Sequence, residues 1–154
     1  PDFKQKMVQI GYLARTANLL GIATPKIACI APSEQLLPNV ISSTEGALLA
    51  KMADRGQLGN VVVDGPLSLD VALYKEVAEH KKVKGSSVAG EPVCLLFPNL
   101  ESANVFFKSV SHLCGGELAA MVMGTKVPCV LTSRGDTSKT KLFSIALACL
   151  AVKK

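Results

Sequence analysis

The sequence predicts an α/β domain of three layers, with a mostly parallel sheet and one antiparallel hairpin strand. Short apolar runs that suit strands alternate three times with helical patterns, and two further runs near the end are separated by a hairpin-sized gap. The strand runs are apolar at consecutive positions rather than at every second one, as in strands covered by helices on both faces. At 154 residues, 49% hydrophobic and 19% charged, the chain can bury one sizeable core, so one domain is the default.

Each element has its own signal. Met7, Ile10, Leu13 or Ala14, and Ala17 recur at helical spacing between Phe3 and Leu20, and Gly21 closes that helix. Lys26 to Ala31 is a buried strand ended by Pro32. Ser42 and Glu45 have the spacing of a capping box for a helix through Leu48, Leu49, Met52 and Ala53 to Gly56. Asn60 to Val63 is a second strand, broken by Asp64-Gly65-Pro66. Ser68 caps a helix with Leu69, Leu73 and Val77 in one stripe and Lys75, Glu76 and Glu79 in water. That helix ends in Lys81-Lys82-Val83-Lys84. Val93 to Phe97 is a third strand, stopped by Pro98-Asn99, and Glu101 to Leu113 is a helix burying Phe106, Val110 and Leu113 before Gly115-Gly116. Leu118 to Met123 and Val127 to Thr132 pair as a hairpin across Gly124-Thr125-Lys126. The last helix, Ser138 to Ala151, carries Leu142, Ile145, Ala146, Cys149 and Leu150 on one stripe.

Composition narrows the function classes. The longest apolar runs, such as Ile145 to Val152, are too short to span a bilayer. The first six residues lack the apolar core of a signal peptide, so no export is expected, and a start at Pro1 without Met suggests a piece of a longer protein. Five widely spaced cysteines with no C-x-x-C pair and only two histidines support neither a disulfide framework nor a metal site. Four of the five sit in apolar runs, where a free thiol behaves as a small buried hydrophobe, and a reducing cytoplasm is the expected location. The formal charge of +5 permits an anionic partner, yet the lysines are scattered and aromatics make up 5% with no Trp. A small phosphorylated ligand fits that balance better than nucleic acid.

In an open α/β sheet, ligands gather beyond the carboxyl ends of parallel strands. The unusual polar residues fall there in sequence: Asp64-Gly65-Pro66 after strand two, Asn99 with Glu101 and Asn104 after strand three, and Thr132-Ser133-Arg134-Gly135-Asp136 before the last helix. A helix N-terminus attracts anions through free amides and its dipole, and an arginine adds a fork that bonds two phosphate oxygens. Each has an ordinary counterpart as well. Asp64-Gly65-Pro66 serves equally as a turn, Asn104 and Lys108 fit a solvated helix face, and Ser-Arg-Gly-Asp fits a capped surface loop. Asp70 reads as a first-turn carboxylate on the helix dipole. No nucleophile elbow, Walker loop, dinucleotide fingerprint or metal-ligand cluster occurs, so an enzyme made of these parts works by positioning and anion stabilisation, with the nucleophile brought by a cosubstrate.

Three blocks carry a resemblance. Val62 to Ala72 (VVDGPLSLDVA), Leu95 to Asn104 (LLFPNLESAN) with Lys108, and Pro128 to Asp136 (PCVLTSRGD) with Lys141 and Ser144 to Ala148 resemble the phosphate acetyl/butyryltransferase family in order and spacing. Gly21 to Ala28 is similar to that family's passage into its second half, and Asp136 with the Lys141 to Ala148 tail looks closer to the butyryl branch. The resemblance implies transfer of a short acyl group between coenzyme A and phosphate, with coenzyme A as cosubstrate and no metal or prosthetic group.

It also implies a domain of the isocitrate/isopropylmalate dehydrogenase-like fold and a homodimer in the full-length form, with no nucleic-acid or membrane partner. On this reading residues 1–22 are a lead-in helix, 23–137 the α/β domain and 138–154 a C-terminal helix facing a missing N-terminal domain, the whole being the C-terminal half of a longer protein. Catalysis falls to Ser133, Arg134 and Asp136, and substrate binding to Asp64, Gly65, Pro66, Asn99, Asn104, Lys108 and Thr132. Where the acetyl branch places its base, seven residues after the serine, this chain has Thr140, which leaves Asp136 as substitute base or as cap. The alternative from another class is a non-catalytic domain of the same fold that binds coenzyme A or an acyl phosphate as a regulatory ligand.

Overall fold

A computed structural model of the chain describes residues 1–152; the last two positions of the expected C-terminal helical segment, Lys153 and Lys154, lie outside the described residues. Two compact units are present, Pro1–Ala103 and Asn104–Lys154.

The first unit holds a parallel sheet of three strands, β1 (Lys26–Ile30), β2 (Val62–Leu67) and β3 (Cys94–Leu96), in the order β2-β1-β3. Side chains of successive β1 residues go to opposite faces, as the pleat requires. Ile27 and Cys29 join Ile10, Leu49, Val61, Val63 and Leu96 in one cluster, on the side of helices α1 (Phe3–Leu19) and α2 (Ile41–Asp54). Ala28 joins Leu67, Val71, Ala72, Ala78 and Val88 in the other, on the side of α3 (Leu69–Leu73) and α4 (Lys75–His80). The sheet is therefore covered on both faces, as its continuous apolar runs predict.

Several local expectations are corrected. The capping box is at α1, not α2: the Asp2 carboxylate accepts the Gln5 N–H at 2.8 Å and the Gln5 side chain accepts the Asp2 N–H at 2.8 Å. Helix α2 begins after Val40 with no side-chain cap, and Glu45 is paired instead with Lys6 of α1, which is only 5% exposed. The second strand does not break at Asp64-Gly65-Pro66; β2 runs through all three to Leu67, with a cis Gly65–Pro66 peptide. Proline is tolerated there because β2 is an edge strand and its register with β1 shifts between Ala28 and Ile30, so no ladder donor is needed.

The helix expected after Ser68 is two short helices, because Tyr74 is extended (φ −122°, ψ 116°). The turn at Tyr74 moves the buried face to Val71, Ala72 and Ala78 and leaves Leu73 exposed, while Lys75, Glu76 and Glu79 lie in water as expected. Ser68 stands at the N-cap position without bonding an amide of α3.

Helix α5 (Leu100–His112) passes from the first unit into the second after its opening turn. Asn99 precedes it, and its side-chain oxygen accepts the Ser102 N–H at 2.9 Å. Phe106 and Val110 are only partly buried and Leu113 is 81% exposed, so the expected buried face of this helix is not closed. In the second unit the two expected hairpin runs form no strands. One antiparallel bridge joins Val122 and Cys129, with a Val122 N–H to Cys129 carbonyl bond of 2.8 Å. Val127 and Leu131 are exposed, and a strand run gains little where its apolar side chains find no second layer.

Helix α6 (Ser138–Ala151) has the expected bounds with the opposite face turned in. Thr140, Ser144 and Ala151 are buried, whereas Leu142, Ile145 and Leu150 of the predicted stripe are exposed. The fully buried Ser144 hydroxyl donates to the Thr140 carbonyl at 2.7 Å and accepts the Ala120 N–H at 2.9 Å, tying the preceding loop to the helix.

Cysteine burial is also narrower than expected. Cys29 is buried, Cys94 half-buried, and Cys114, Cys129 and Cys149 are exposed. Burial, reinforced by Asp64 and opposed by Lys6, pushes the Cys29 thiol up to about 12. Cys29 is accordingly expected to resist alkylation at neutral pH and to label only after denaturation. Peptide mass spectrometry decides this, and labelling of Cys29 in native buffer as fast as exposed Cys114 would contradict the packing.

Candidate functional site

The second unit builds the Thr132–Asp136 loop from local bonds. Asp136 donates its N–H to the Ser133 carbonyl at 3.1 Å, and the Asp136 carboxylate accepts the Ser133 N–H at 2.8 Å, so one tight turn is closed twice over the same four residues. Arg134 and Gly135 form its exposed tip, and the Arg134 guanidinium has no hydrogen-bond or ion-pair partner among the described residues.

Thr137 then caps α6, its hydroxyl oxygen accepting the Thr140 N–H at 3.1 Å. The Thr137 hydroxyl also donates to that of Thr140 at 3.1 Å. Thr140, which stands at the expected base position, is thereby buried and committed to the cap. Thr132 is half-buried and Ser133 exposed at the approach to the turn.

Behind the turn, Lys108 of α5 brings its ammonium within 3.7 Å of the other Asp136 oxygen. Asn104, one turn earlier on α5, is exposed. An open cavity of about 340 Å³ lies beside this segment, lined by Ser111, His112, Gly135, Asp136, Thr137 and Lys139 among others. The arrangement offers a free guanidinium, a hydroxyl and a capped helix N-terminus on one rigid turn, which is suited to an oxyanion carrying more than one charge.

In the first unit, Asp64, Gly65 and Pro66 lie inside β2. The Asp64 carboxylate accepts the Gly65 N–H at 2.8 Å, and the Gly46 Cα of α2 is close enough that an added Cβ would stand 3.3 Å from the Pro66 Cα. Asn99 is committed to opening α5. The sequence reading missed a charged cluster at the β2 end. Ser68 donates to Glu34 at 3.1 Å, and Lys81 approaches Asp70 at 3.0 Å, Ser68 at 3.3 Å and Glu34 at 3.5 Å.

Ser68 and Lys81 hold Asp70 down to about 2, while Asp70 above all raises Lys81. Glu34 is lowered, chiefly by a backbone N–H and then by Ser68 and Lys81. The Asp70 contribution to stability is therefore complete above about pH 4, its ordinary range, and is lost as pH falls toward 2. Lys81 belongs to the lysine run read as a solvated helix end, and only the separation of its partners in sequence hid its role. Among the described residues no group of His, Cys, Asp and Glu is placed to hold a metal ion, and no helix is long and apolar enough to cross a membrane.

Comparison with known proteins gives one answer throughout. Residues 1–149 match the family described as Phosphate acetyl/butaryl transferase. The chain is 43% identical to the phosphate butyryltransferase of Clostridium acetobutylicum over 97% of its own length and 50% of that protein. It is 40% identical to the phosphate acetyltransferase of Thermotoga maritima over 96% of its length and 50% of that protein.

Among solved structures, the branched-chain phosphotransacylase of Enterococcus faecalis V583 superposes with a TM-score of 0.88 at 29% identity, covering 97% of this chain and 53% of that one. The chain thus spans about half the length of the relatives it matches. With the match running nearly end to end, through the Asp64-Gly65-Pro66 strand and the Ser133–Asp136 turn, this chain belongs to the phosphate acetyl/butyryl transferase family.

Proposed function

We propose that the chain is the C-terminal half of a phosphate acyltransferase that moves a short acyl group, butyryl or similar, reversibly between coenzyme A and inorganic phosphate. The observation that carries this reading is Arg134, a guanidinium free of internal partners on a doubly closed turn directly before a 14-residue helix. In the direction of acyl phosphate formation, a phosphate oxygen attacks the thioester carbonyl. The C–S bond breaks, and the proton lost by phosphate passes to the departing thiolate of coenzyme A. Charge grows on the carbonyl oxygen and shifts from phosphate to sulfur, so preorganised donors near those atoms lower the barrier, and holding both substrates together supplies the proximity contribution.

Arg134 pairs with the phosphate and Ser133 orients the thiol or the reacting carbonyl. Within the second unit, substrate contacts fall to Asn104 and Thr132, and the family resemblance adds Lys108; for the first unit it names Asp64, Gly65, Pro66 and Asn99. Coenzyme A enters as cosubstrate, with no metal or prosthetic group. The full-length protein is a cytoplasmic homodimer of the isocitrate/isopropylmalate dehydrogenase-like fold, in which residues 118–132 supply the antiparallel hairpin strand. The exposed Leu142, Ile145 and Leu150 of α6 face its remaining half.

The full-length gene product, given butyryl phosphate and coenzyme A, is expected to form butyryl-CoA, read as thioester absorbance. The 154 residues alone are expected to show little or no turnover. Absence of thioester from both butyryl and acetyl phosphate with the full-length protein would remove the reading.

A further inference from the structure

The geometry points to Lys108 and Asp136 as a positioning pair for the acyl transfer proposed above, on which this inference rests: Asp136 locks the turn that presents Ser133 and Arg134, and Lys108 holds the lock. Both Asp136 oxygens are engaged. One accepts the Ser133 N–H at 2.8 Å, and the other faces the Lys108 ammonium at 3.7 Å. The Asp136 side chain is 9% exposed, whereas Ser133, Arg134 and Gly135 around it are exposed, so the carboxylate is turned inward from the surface a substrate would meet.

A proton acceptor for an incoming thiol needs an oxygen open to that thiol, and Asp136, its side chain 9% exposed with one oxygen bonded to the Ser133 N–H and the other facing Lys108, is poorly placed for that role. What the carboxylate does is close a second ring over the Ser133 carbonyl to Asp136 N–H bond, leaving the Arg134 backbone fixed on both sides. Lys108 projects from the 13-residue helix α5, so its charge is supplied by a stiff element. Asparagine at 136 can still accept the Ser133 N–H while giving up the ionic contact; alanine gives up both. The two side chains thus act on substrate only through the turn.

Asp136→Ala, Asp136→Asn, Lys108→Met and the Asp136→Ala/Lys108→Met double variant of the full-length protein separate this role from its competitors. Asp136→Ala is expected to lower kcat/KM by about thirtyfold to a hundredfold, mostly through a raised KM for phosphate, because a misplaced guanidinium binds its anion poorly. Asp136→Asn is expected to recover most of that loss and to keep the pH profile of the parent. Lys108→Met is expected to cost about threefold to tenfold on its own and nothing further in the Asp136→Ala background, since a residue acting through Asp136 has no path left.

Amide hydrogen exchange at Ser133 gives a readout independent of turnover, with faster exchange expected in Asp136→Ala and protection restored in Asp136→Asn. The pair is overturned if Asp136→Asn is as inactive as Asp136→Ala with one limb of the pH profile gone. It is equally overturned if Lys108→Met keeps its full cost in the double variant, or if Ser133 exchange ignores Asp136→Ala. Should the full-length protein transfer no acyl group at all, the functional reading falls, while the exchange result still decides whether Asp136 locks the turn.

Discussion

Replacing Arg134 with alanine in the full-length protein is expected to lower kcat/KM about a hundredfold to a thousandfold, the usual cost of deleting one preorganised donor from an acyl-transfer site. Stability should change by no more than about 0.5 kcal/mol, as for surface positions without a structural role. Both expectations follow from one placement. The guanidinium is exposed and has no internal partner among the described residues, so folding loses nothing with it, while the turn beneath it is fixed by Asp136 and by the cap on α6. Arg134→Lys should recover only part of the loss, because an ammonium supplies charge without the planar fork that meets two phosphate oxygens. Steady-state kinetics with phosphate as varied substrate, beside urea denaturation, checks the two halves separately. Full activity in Arg134→Ala would remove the phosphate contact.

Gly65→Ala is expected to have the largest effect on stability, about 2–3 kcal/mol or more, as overpacking at a site with no room to relax. An added Cβ would lie 2.6 Å from the Cys29 Cβ, 3.1 Å from the Cys29 carbonyl oxygen and 3.3 Å from the Gly46 Cα. Those three atoms belong to β1 and α2, so relief requires the backbones of β1, β2 and α2 to separate. By contrast a Cβ at Gly135 meets nothing within 4 Å, and Gly135→Ala should leave stability near that of the parent. Urea midpoints for the two variants compare the sites directly. An unchanged midpoint for Gly65→Ala would mean that the close approach of the three elements is not maintained in solution.

The elements whose apolar pattern meets a real second layer were legible in the sequence. The Phe3–Leu19 helix and the Lys26–Ile30 strand stand within a residue or so of their expected ends; the Ser138–Ala151 helix also has its expected ends, though not its expected buried face. Misreadings occurred where local chemistry had two uses. Asp64-Gly65-Pro66 has the composition of a turn, but proline on an edge strand beside a register shift costs no ladder bond, so the strand continues. Ser42 and Glu45 have capping-box spacing, but Glu45 is drawn to Lys6, 39 residues away, a pairing no local window reveals.

The α6 stripe shows the limit of periodicity most clearly. Spacing identified which residues share a face, yet the hydroxyl face is the buried one and the apolar face is exposed. Periodicity identifies a face without saying what covers it. For the candidate site, the residue types at Ser133, Arg134 and Asp136 could be read directly. That Asp136 bonds the Ser133 amide, and that Thr140 is sealed into the helix cap, depends on the local backbone turn, which residue types alone do not specify.

Phosphate acyl transfer is tested most directly by thiol release from butyryl-CoA by the full-length protein, followed with a chromogenic thiol reagent with and without inorganic phosphate. Phosphate acyl transfer predicts release that depends on phosphate, saturates with it, and is accompanied by acyl phosphate in equal amount. No release from butyryl-CoA or acetyl-CoA would leave only a binding role for the Ser133–Asp136 turn, and release at the same rate without phosphate would make the protein a thioester hydrolase instead.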